Sequence, residues 1–326
     1  MFDQREVQNS KIFISENLKY SGKGLELALL MYKNFALTIL TFGIYAAWGR
    51  TNTRRYLWNN VSFMGDRAAY LGTGKELFRG WCVVALIYMI VMLGIKILSF
   101  ILPQSFNFLW LLLFLPAYLY IYSLVVYGGT RYRLSCTKWR EIRFGMRRNH
   151  SLTKQFIWLN IKGVFLSVIT LGIYFPRYQN EKRRFLVNQS QFGTGKFFYA
   201  GSNSKYVMLF AKNVLFTVLT LGLYSSWMVL NLKKFAIENT SFNNSLFFKL
   251  RLKGSDIFVF SFVSYFATVL TLGLALPWIV NRWQHMIINS IEVFGEIDFT
   301  TIQNDTHTVR ATGDVASVLF DIDLGF

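Results

Sequence analysis

Apolar runs interrupted by a single Thr-x-Gly set the pattern of this chain. "LTFGIYAAW" at 40–48, "ITLGIYFPR" at 169–177, "LTLGLYSSW" at 219–227 and "LTLGLALPW" at 270–278 each sit inside such a run, and no charge falls within 34–48, 163–176, 213–232 or 257–281. Gly43, Gly172, Gly222 and Gly273 are followed after 16 or 17 residues by Asn60, Asn188, Asn239 and Asn289. The last three glycines are 50 and 51 residues apart, a period that marks a repeated supersecondary unit. Between the first two the interval is 129 residues, and most of the excess is the apolar stretch 80–134. That stretch breaks at "LPQSFN" (102–107) into two segments of about twenty residues, each long enough to cross a bilayer core. It is predicted to be an inserted transmembrane hairpin.

Each unit is predicted to have four parts. An extended, aromatic, basic stretch comes first, as in "SLFFKLRLKG" at 245–254, where alternation and β-formers argue strand. An apolar helix follows, opened by Lys33-Asn34 or Lys212-Asn213 and running to the Thr-x-Gly. A second helix passes through Trp48, Trp227 or Trp278 into a basic end. Those ends hold Arg50, Arg54 and Arg55, then Arg177, Lys182, Arg183 and Arg184, then Lys233 and Lys234, then Arg282. Asn tolerates the left-handed conformation that closes a helix, which suits the junction with the next strand. The domain plan is 1–79 (strand and first repeat), 80–134 (hairpin), 135–201, 202–253 and 254–299 (three further repeats), and an acidic tail, 300–326. The fold class is a mainly α-helical polytopic membrane protein with four Thr-x-Gly helical repeats, one inserted hairpin and short strands forming a cytoplasmic layer.

Two readings of the glycine compete, a spanning helix kinked at Thr-x-Gly and a hairpin that dips into the bilayer and returns. The shortest uncharged stretches are about fifteen residues, roughly 22 Å of helix against a core of about 30 Å. Single crossings would also put Arg54-Arg55 and Lys233-Lys234 outside, against the positive-inside rule. Returning hairpins leave every Lys and Arg except Lys96 on one side, and are favoured. Both termini are then cytoplasmic. The strands share one face, with Phe13, Phe63, Phe144, Phe192, Phe248 and Phe299 as its aromatic candidates, and the tail is expected to dock Asp321 and Asp323 near basic residues.

Composition supports the membrane reading. The chain is 53% hydrophobic, 18% aromatic and 16% charged, against about 25% charged in soluble domains. A formal charge of +18 suits retained cytoplasmic loops and anionic headgroups rather than nucleic acid. No signal-type apolar core opens the sequence. Cys82 and Cys136 lie in unlike settings and do not read as a disulfide, and His150, His285 and His307 lack ligand-spaced companions, so neither metal nor cofactor is expected. "GTGK" at 72–75 and 193–196 lacks the phosphate-loop spacing and reads as a turn joining strands, in the same repeat position each time. Nothing sets a nucleophile beside a base, so catalysis is not expected. Lys33, Lys162 and Lys212 recur ten residues before their glycines and read as headgroup anchors.

The chain resembles the YjgN-like family of uncharacterised bacterial inner-membrane proteins. The resemblance rests on "YSGKGLEL", "LTILTFGIYAAWGRTNTRRYLWNNVSFMG" and the tail "GDVASVLFDIDLGF", and it implies a multi-pass inner-membrane location without an activity. The residues themselves favour a membrane scaffold whose basic, aromatic cytoplasmic face binds anionic lipid or a protein partner. That reading rests on one-sided charge and on the belt of Tyr45, Trp48, Tyr224 and Trp227. The alternative is a transporter or channel, since repeats with broken helices commonly frame a central site. The lack of acidic residues in the apolar stretches counts against it.

Overall fold

In the computed structural model, residues 12–101, 107–147 and 149–304 are described. Helices pair in chain order: α1 (Gly24–Leu40) with α2 (Ala46–Asn59), α3 (Gly74–Ile101) with α4 (Asn107–Ser135), α5 (His150–Ile169) with α6 (Phe175–Gln189), α7 (Asn203–Leu219) with α8 (Ser225–Glu238), and α9 (Gly254–Leu270) with α10 (Leu276–Ile288). Strands β1 (Ile12–Asn17) and β2 (Lys19–Tyr20) precede the first pair. After it come β3 (Val61–Phe63), β4 (Asp66–Arg67) and β5 (Ala69–Tyr70). The later pairs are followed by β6 (Thr137–Trp139) and β7 (Ile142–Met146), β8 (Ser190–Phe192) and β9 (Gly195–Tyr199), β10 (Thr240–Phe242) and β11 (Leu246–Leu250), and finally β12 (Ile291–Ile297).

The strands are ordered β1-β12-β11-β10-β9-β8-β7-β6-β5 in one sheet and β2-β3-β4 in another. β1 runs on into β2 across Leu18, and β4 into β5 across Ala68. The two sheets therefore share their end strands and close into one ring of antiparallel neighbours, which among the described residues leaves no free edge to template pairing. Its interior is apolar. Phe63, Trp139, Phe192, Phe242 and Val293 come from the equivalent third position of the strand after each helix pair, and all pack in one core with Ile14, Leu246 and Ile297. Ring centroids step round it at 5.6 Å (Phe63–Trp139), 5.8 Å (Trp139–Phe192) and 6.1 Å (Phe192–Phe242). Phe299 and Ile302, beyond β12, fill the same core. Of the predicted aromatic face, Phe13 alone is found exposed, at 70%.

The helical pairs form a second ring above the barrel. Trp48 of α2 lies against Gly74 at the start of α3, Trp227 of α8 against Gly254 of α9, and Trp278 of α10 against Gly24 of α1, each so close that a Cβ would collide with the indole. The last contact joins the end of the chain to its beginning. Tyr20 Oη donates to Asn281 Oδ1 of α10 across the same seam, at 3.1 Å, and burial holds that phenol well above its usual pKa. The tryptophans expected as an interfacial belt are thus wedges between neighbouring units.

Several boundaries differ from the sequence expectation. The stretch predicted as an insertion, 80–134, lies within α3–α4, which is flanked by strands as the other pairs are and wedged by Trp48 at its start as α9 and α1 are by Trp227 and Trp278, so the ring has five units. α1 and α7 begin at Gly24 and Asn203, about ten residues before Lys33-Asn34 and Lys212-Asn213. The lysine of each pair faces out while its asparagine is buried against the partner helix, a pattern that mimics a polar helix start. Asn60, Asn239 and Asn289 close their helices with φ of −96°, −94° and −67°. They act through side chains rather than a left-handed backbone. Nδ2 of Asn60 and Asn239 donates to the carbonyl four residues back, both at 2.8 Å, and Oδ1 of Asn289 and of Asn188 accepts the Tyr20 and Tyr199 backbone N–H at 2.7 and 2.8 Å. "GTGK" at 193–196 joins β8 to β9 as expected, whereas 72–75 leads from β5 into α3.

Candidate membrane-facing site

At each Thr-x-Gly the chain turns through about four residues and returns. Gly43, Gly172, Gly222 and Gly273 have φ of 91°, 91°, 92° and 87°, a region open to glycine and costly for other residues. The residue before each, Phe42, Leu171, Leu221 or Leu272, is itself left-handed with φ of 49–51°. Each glycine N–H donates to the carbonyl five residues back at 2.7–2.8 Å, the closure of a Schellman-type turn. The threonine hydroxyl then does double duty. It donates to the carbonyl four residues back (Leu37, Leu166, Phe216 and Ala267; 2.6–2.7 Å) and accepts the N–H four residues on (Tyr45, Tyr174, Tyr224 and Ala275; 2.9–3.0 Å). The turn thereby satisfies its own backbone, the condition for non-helical chain in an apolar medium.

What the tips present is apolar. Phe42, Leu171, Leu221 and Leu272 are 98%, 93%, 95% and 94% exposed. Ile44, Ile173, Leu223 and Leu274 beside them are also exposed. A left-handed leucine costs about 1–2 kcal/mol where Asn or Gly would cost little, and removing a leucine or phenylalanine from water returns about 1.5–3 kcal/mol. Placing such residues at four equivalent tips is favourable only if lipid covers them. Every tip lies at the end of the ring opposite the barrel, because every helix pair begins and ends at strands.

Lys33, Lys162 and Lys212 are exposed and lie ten residues before their glycines, about 15 Å along a helix and half of a bilayer core of about 30 Å. α3, with 28 residues, reaches about 16 Å further than the 17-residue α1. Its 74–94 portion is, among the described residues, the one helical stretch long and apolar enough to cross a membrane, and little of it is buried.

Most of the basic cluster is structural. Arg55 Nη2 donates to the Gly72 carbonyl at 2.9 Å, and Arg184 Nη2 to that of Gly201 at 2.6 Å, each tying a second helix to the next unit's entry loop. Arg54 lies over Tyr70, Lys182 bonds the Tyr122 hydroxyl at 2.7 Å, and Lys234 pairs with Glu238 at 3.9 Å. Arg183 and Lys233 face each other from α6 and α8. Arg183 Nη1 is buried without a hydrogen-bond partner, and burial, then the Arg183 charge, holds Lys233 below its ordinary pKa. Arg50, Arg177 and Arg282 remain exposed, Arg50 over the Trp81 ring and Arg177 paired with Glu181. The two cysteines are free, Cys82 exposed and Cys136 buried. Asp321 and Asp323 lie outside the described residues. Among those described, no His, Cys, Asp and Glu group has the arrangement of a metal site.

Leucines this exposed on self-satisfied turns belong in lipid, and the molecule is an integral membrane protein. The sequence matches the family described as "Bacterial protein of unknown function (DUF898)" over residues 15–200 and 228–319, and the chain belongs to that family. It is 36% identical over 84 residues to the inner membrane protein YjgN of Salmonella typhimurium, covering 26% of this chain and 21% of that protein. To the inner membrane protein YjgN of Escherichia coli O157:H7 it is 28% identical over 174 residues, covering 52% of this chain and 40% of that protein. The matched stretches thus span less than half the length of these relatives. The YjgN-like resemblance is shown, and with it location in the cell inner membrane. No solved structure matches.

Proposed function

We propose that the protein is a one-sided membrane scaffold. Four hairpins dip into the cytoplasmic leaflet, α3–α4 crosses both, and the barrel stands in the cytoplasm with anionic phospholipid gathered at a rim of outward cations. The observation that carries this reading is the fourfold recurrence of an exposed left-handed Phe or Leu at a self-satisfied turn. Lys33, Lys162 and Lys212 sit where the phosphates of that leaflet would lie, and each cation near an anionic surface contributes about 1 kcal/mol. The side chains packed through the barrel centre weigh against a transport path along that axis.

The test is reconstitution of the full chain into nanodiscs of mixed phosphatidylglycerol and phosphatidylcholine. An environment-sensitive fluorophore on a cysteine at Leu221 should report an apolar setting. Phosphatidylglycerol retained on gentle delipidation should fall strongly when Lys33, Lys162 and Lys212 are all replaced by Gln. A water-exposed fluorophore removes the insertion, and unchanged retention removes the cationic rim.

A further inference from the structure

Two of the four dipping units share an asparagine pair between their helices, whereas α5–α6 and α9–α10 (Ser264 and Arg282) carry other residues there, and of these two α5–α6 has a groove beside the substituted positions. Nine residues on either side of the turn glycine, α1–α2 and α7–α8 each hold an asparagine pair. Asn52 Nδ2 donates to Asn34 Oδ1 at 3.5 Å, and Asn231 Nδ2 to Asn213 Oδ1 at 2.8 Å. These bonds tie the two helices together at the depth of the lysine rim. In α5–α6 the same positions are Gly163 and Glu181. Gly163 is covered by the Tyr178 ring, the inter-helix amide pair is gone, and a groove of about 200 Å³ opens beside it, lined by Gln155, Trp158, Lys162, Tyr174 and Glu181 among others.

Its polar groups are only partly used. Glu181 Oε1 accepts from Arg177 Nε and Asn203 Nδ2, both at 3.0 Å, while Oε2 receives only a long contact from the Tyr174 hydroxyl at 3.5 Å. A carboxylate offers about four acceptor positions, so Oε2 keeps capacity toward the groove. Lys162 lines the same groove, forms no ion pair with Glu181, and has no hydrogen-bond partner among the described residues. Trp158, where the other dipping units carry Leu29, Met208 and Val259, is 66% exposed at the groove's edge, as an interfacial anchor is.

We infer that the α5–α6 groove is a phospholipid headgroup site selective for donor-bearing headgroups, with phosphatidylethanolamine its type ligand. Lys162 takes the phosphodiester, and Glu181 Oε2 accepts an N–H from the ethanolamine ammonium. Choline supplies the same phosphate and a cation but no N–H to donate, so it leaves the carboxylate unanswered. The inference rests on the dipping-hairpin reading, because only that reading sets Lys162 and Glu181 at headgroup depth.

The experiment measures lipid bound to the full chain by native mass spectrometry after reconstitution with equal phosphatidylethanolamine and phosphatidylcholine, both uncharged overall. The wild type should prefer ethanolamine by about tenfold, the scale of one charge-assisted hydrogen bond. Glu181→Asn, which installs the residue that α2 and α8 carry at this position, should bring the ratio near one, and Lys162→Gln should weaken both lipids alike and leave the ratio, while thermal unfolding shows the fold intact in each. Met208→Gln, at the position in α7 equivalent to Trp158, should leave the ratio unchanged. An added phosphatidylglycerol arm separates the donors. Preference shared by glycerol and ethanolamine assigns the selection to hydrogen-bond donation, and preference for ethanolamine alone assigns it to the ammonium. Equal binding of ethanolamine and choline lipids by a wild type whose Leu221 fluorophore is lipid-buried overturns the groove and spares the insertion. A water-exposed fluorophore overturns both. A preference that survives in Glu181→Asn overturns the role of the carboxylate.

Discussion

Leu221 is held in a conformation that leucine disfavours and in an exposure that water disfavours. The two costs have different remedies. Asparagine adopts the left-handed region readily, so in water Leu221→Asn should relieve the backbone and stabilise by about 1 kcal/mol. In lipid the same change carries an amide to the end of the hairpin, where leaving it unpaired costs about 1–3 kcal/mol. The sign therefore reports the medium. Unfolding in nanodiscs is expected to show Leu221→Asn less stable than wild type, and a more stable variant would place the tip in water. The turn itself was legible in the sequence because everything it needs is local: a hydroxyl, two carbonyls and two N–H groups within nine residues. Its apolar left-handed residue was written there too, in the Phe or Leu between each Thr and Gly, yet only the dihedral angles show what that residue gives up.

For the helices, periodic pattern alone placed pairs of elements but misplaced their starts. Lys33 and Lys212 look like the polar opening of an apolar helix, whereas they lie exposed about nine residues inside helices that have already begun. α3–α4 hid its kinship because it lacks the Thr-x-Gly: its helices continue past the point where the others turn, so the most recognisable residues of the repeat are missing from it. The length difference has a consequence that can be measured. With Cys82 and Cys136 replaced, single cysteines at Gln104, Asn52, Ser202 and Asn243 in intact cells should react with an impermeant reagent at Gln104 alone. Labelling at Asn52 or Asn243 would mean that the dipping hairpins cross the membrane, and that the basic ends alternate sides.

Closure of the molecule was the least legible feature, since it depends on contacts between the chain's two ends. β1 pairs with β12 in the register Ile12 to Ile297, and Trp278 of the last unit lies on Gly24 of the first. Neither is implied by a period of about fifty residues, which fits an open solenoid as well as a ring. The tryptophans were conspicuous in the sequence, but a wedge between units and an interfacial belt call for the same residue, and only the facing glycine distinguishes them. That glycine supplies the test of the ring. At Gly24 a side chain would meet the Trp278 indole, so Gly24→Leu should lose about 1–3 kcal/mol by overpacking the seam. At Gly94, in the exposed part of α3, a Cβ meets nothing within 4 Å, and Gly94→Leu should be neutral or stabilising by up to about 1 kcal/mol through helix propensity. Thermal unfolding of both variants in detergent separates a closed ring from an open one. Equal behaviour would mean that α10 and α1 do not meet in solution, while loss at Gly24 alone means that the fifth unit locks onto the first.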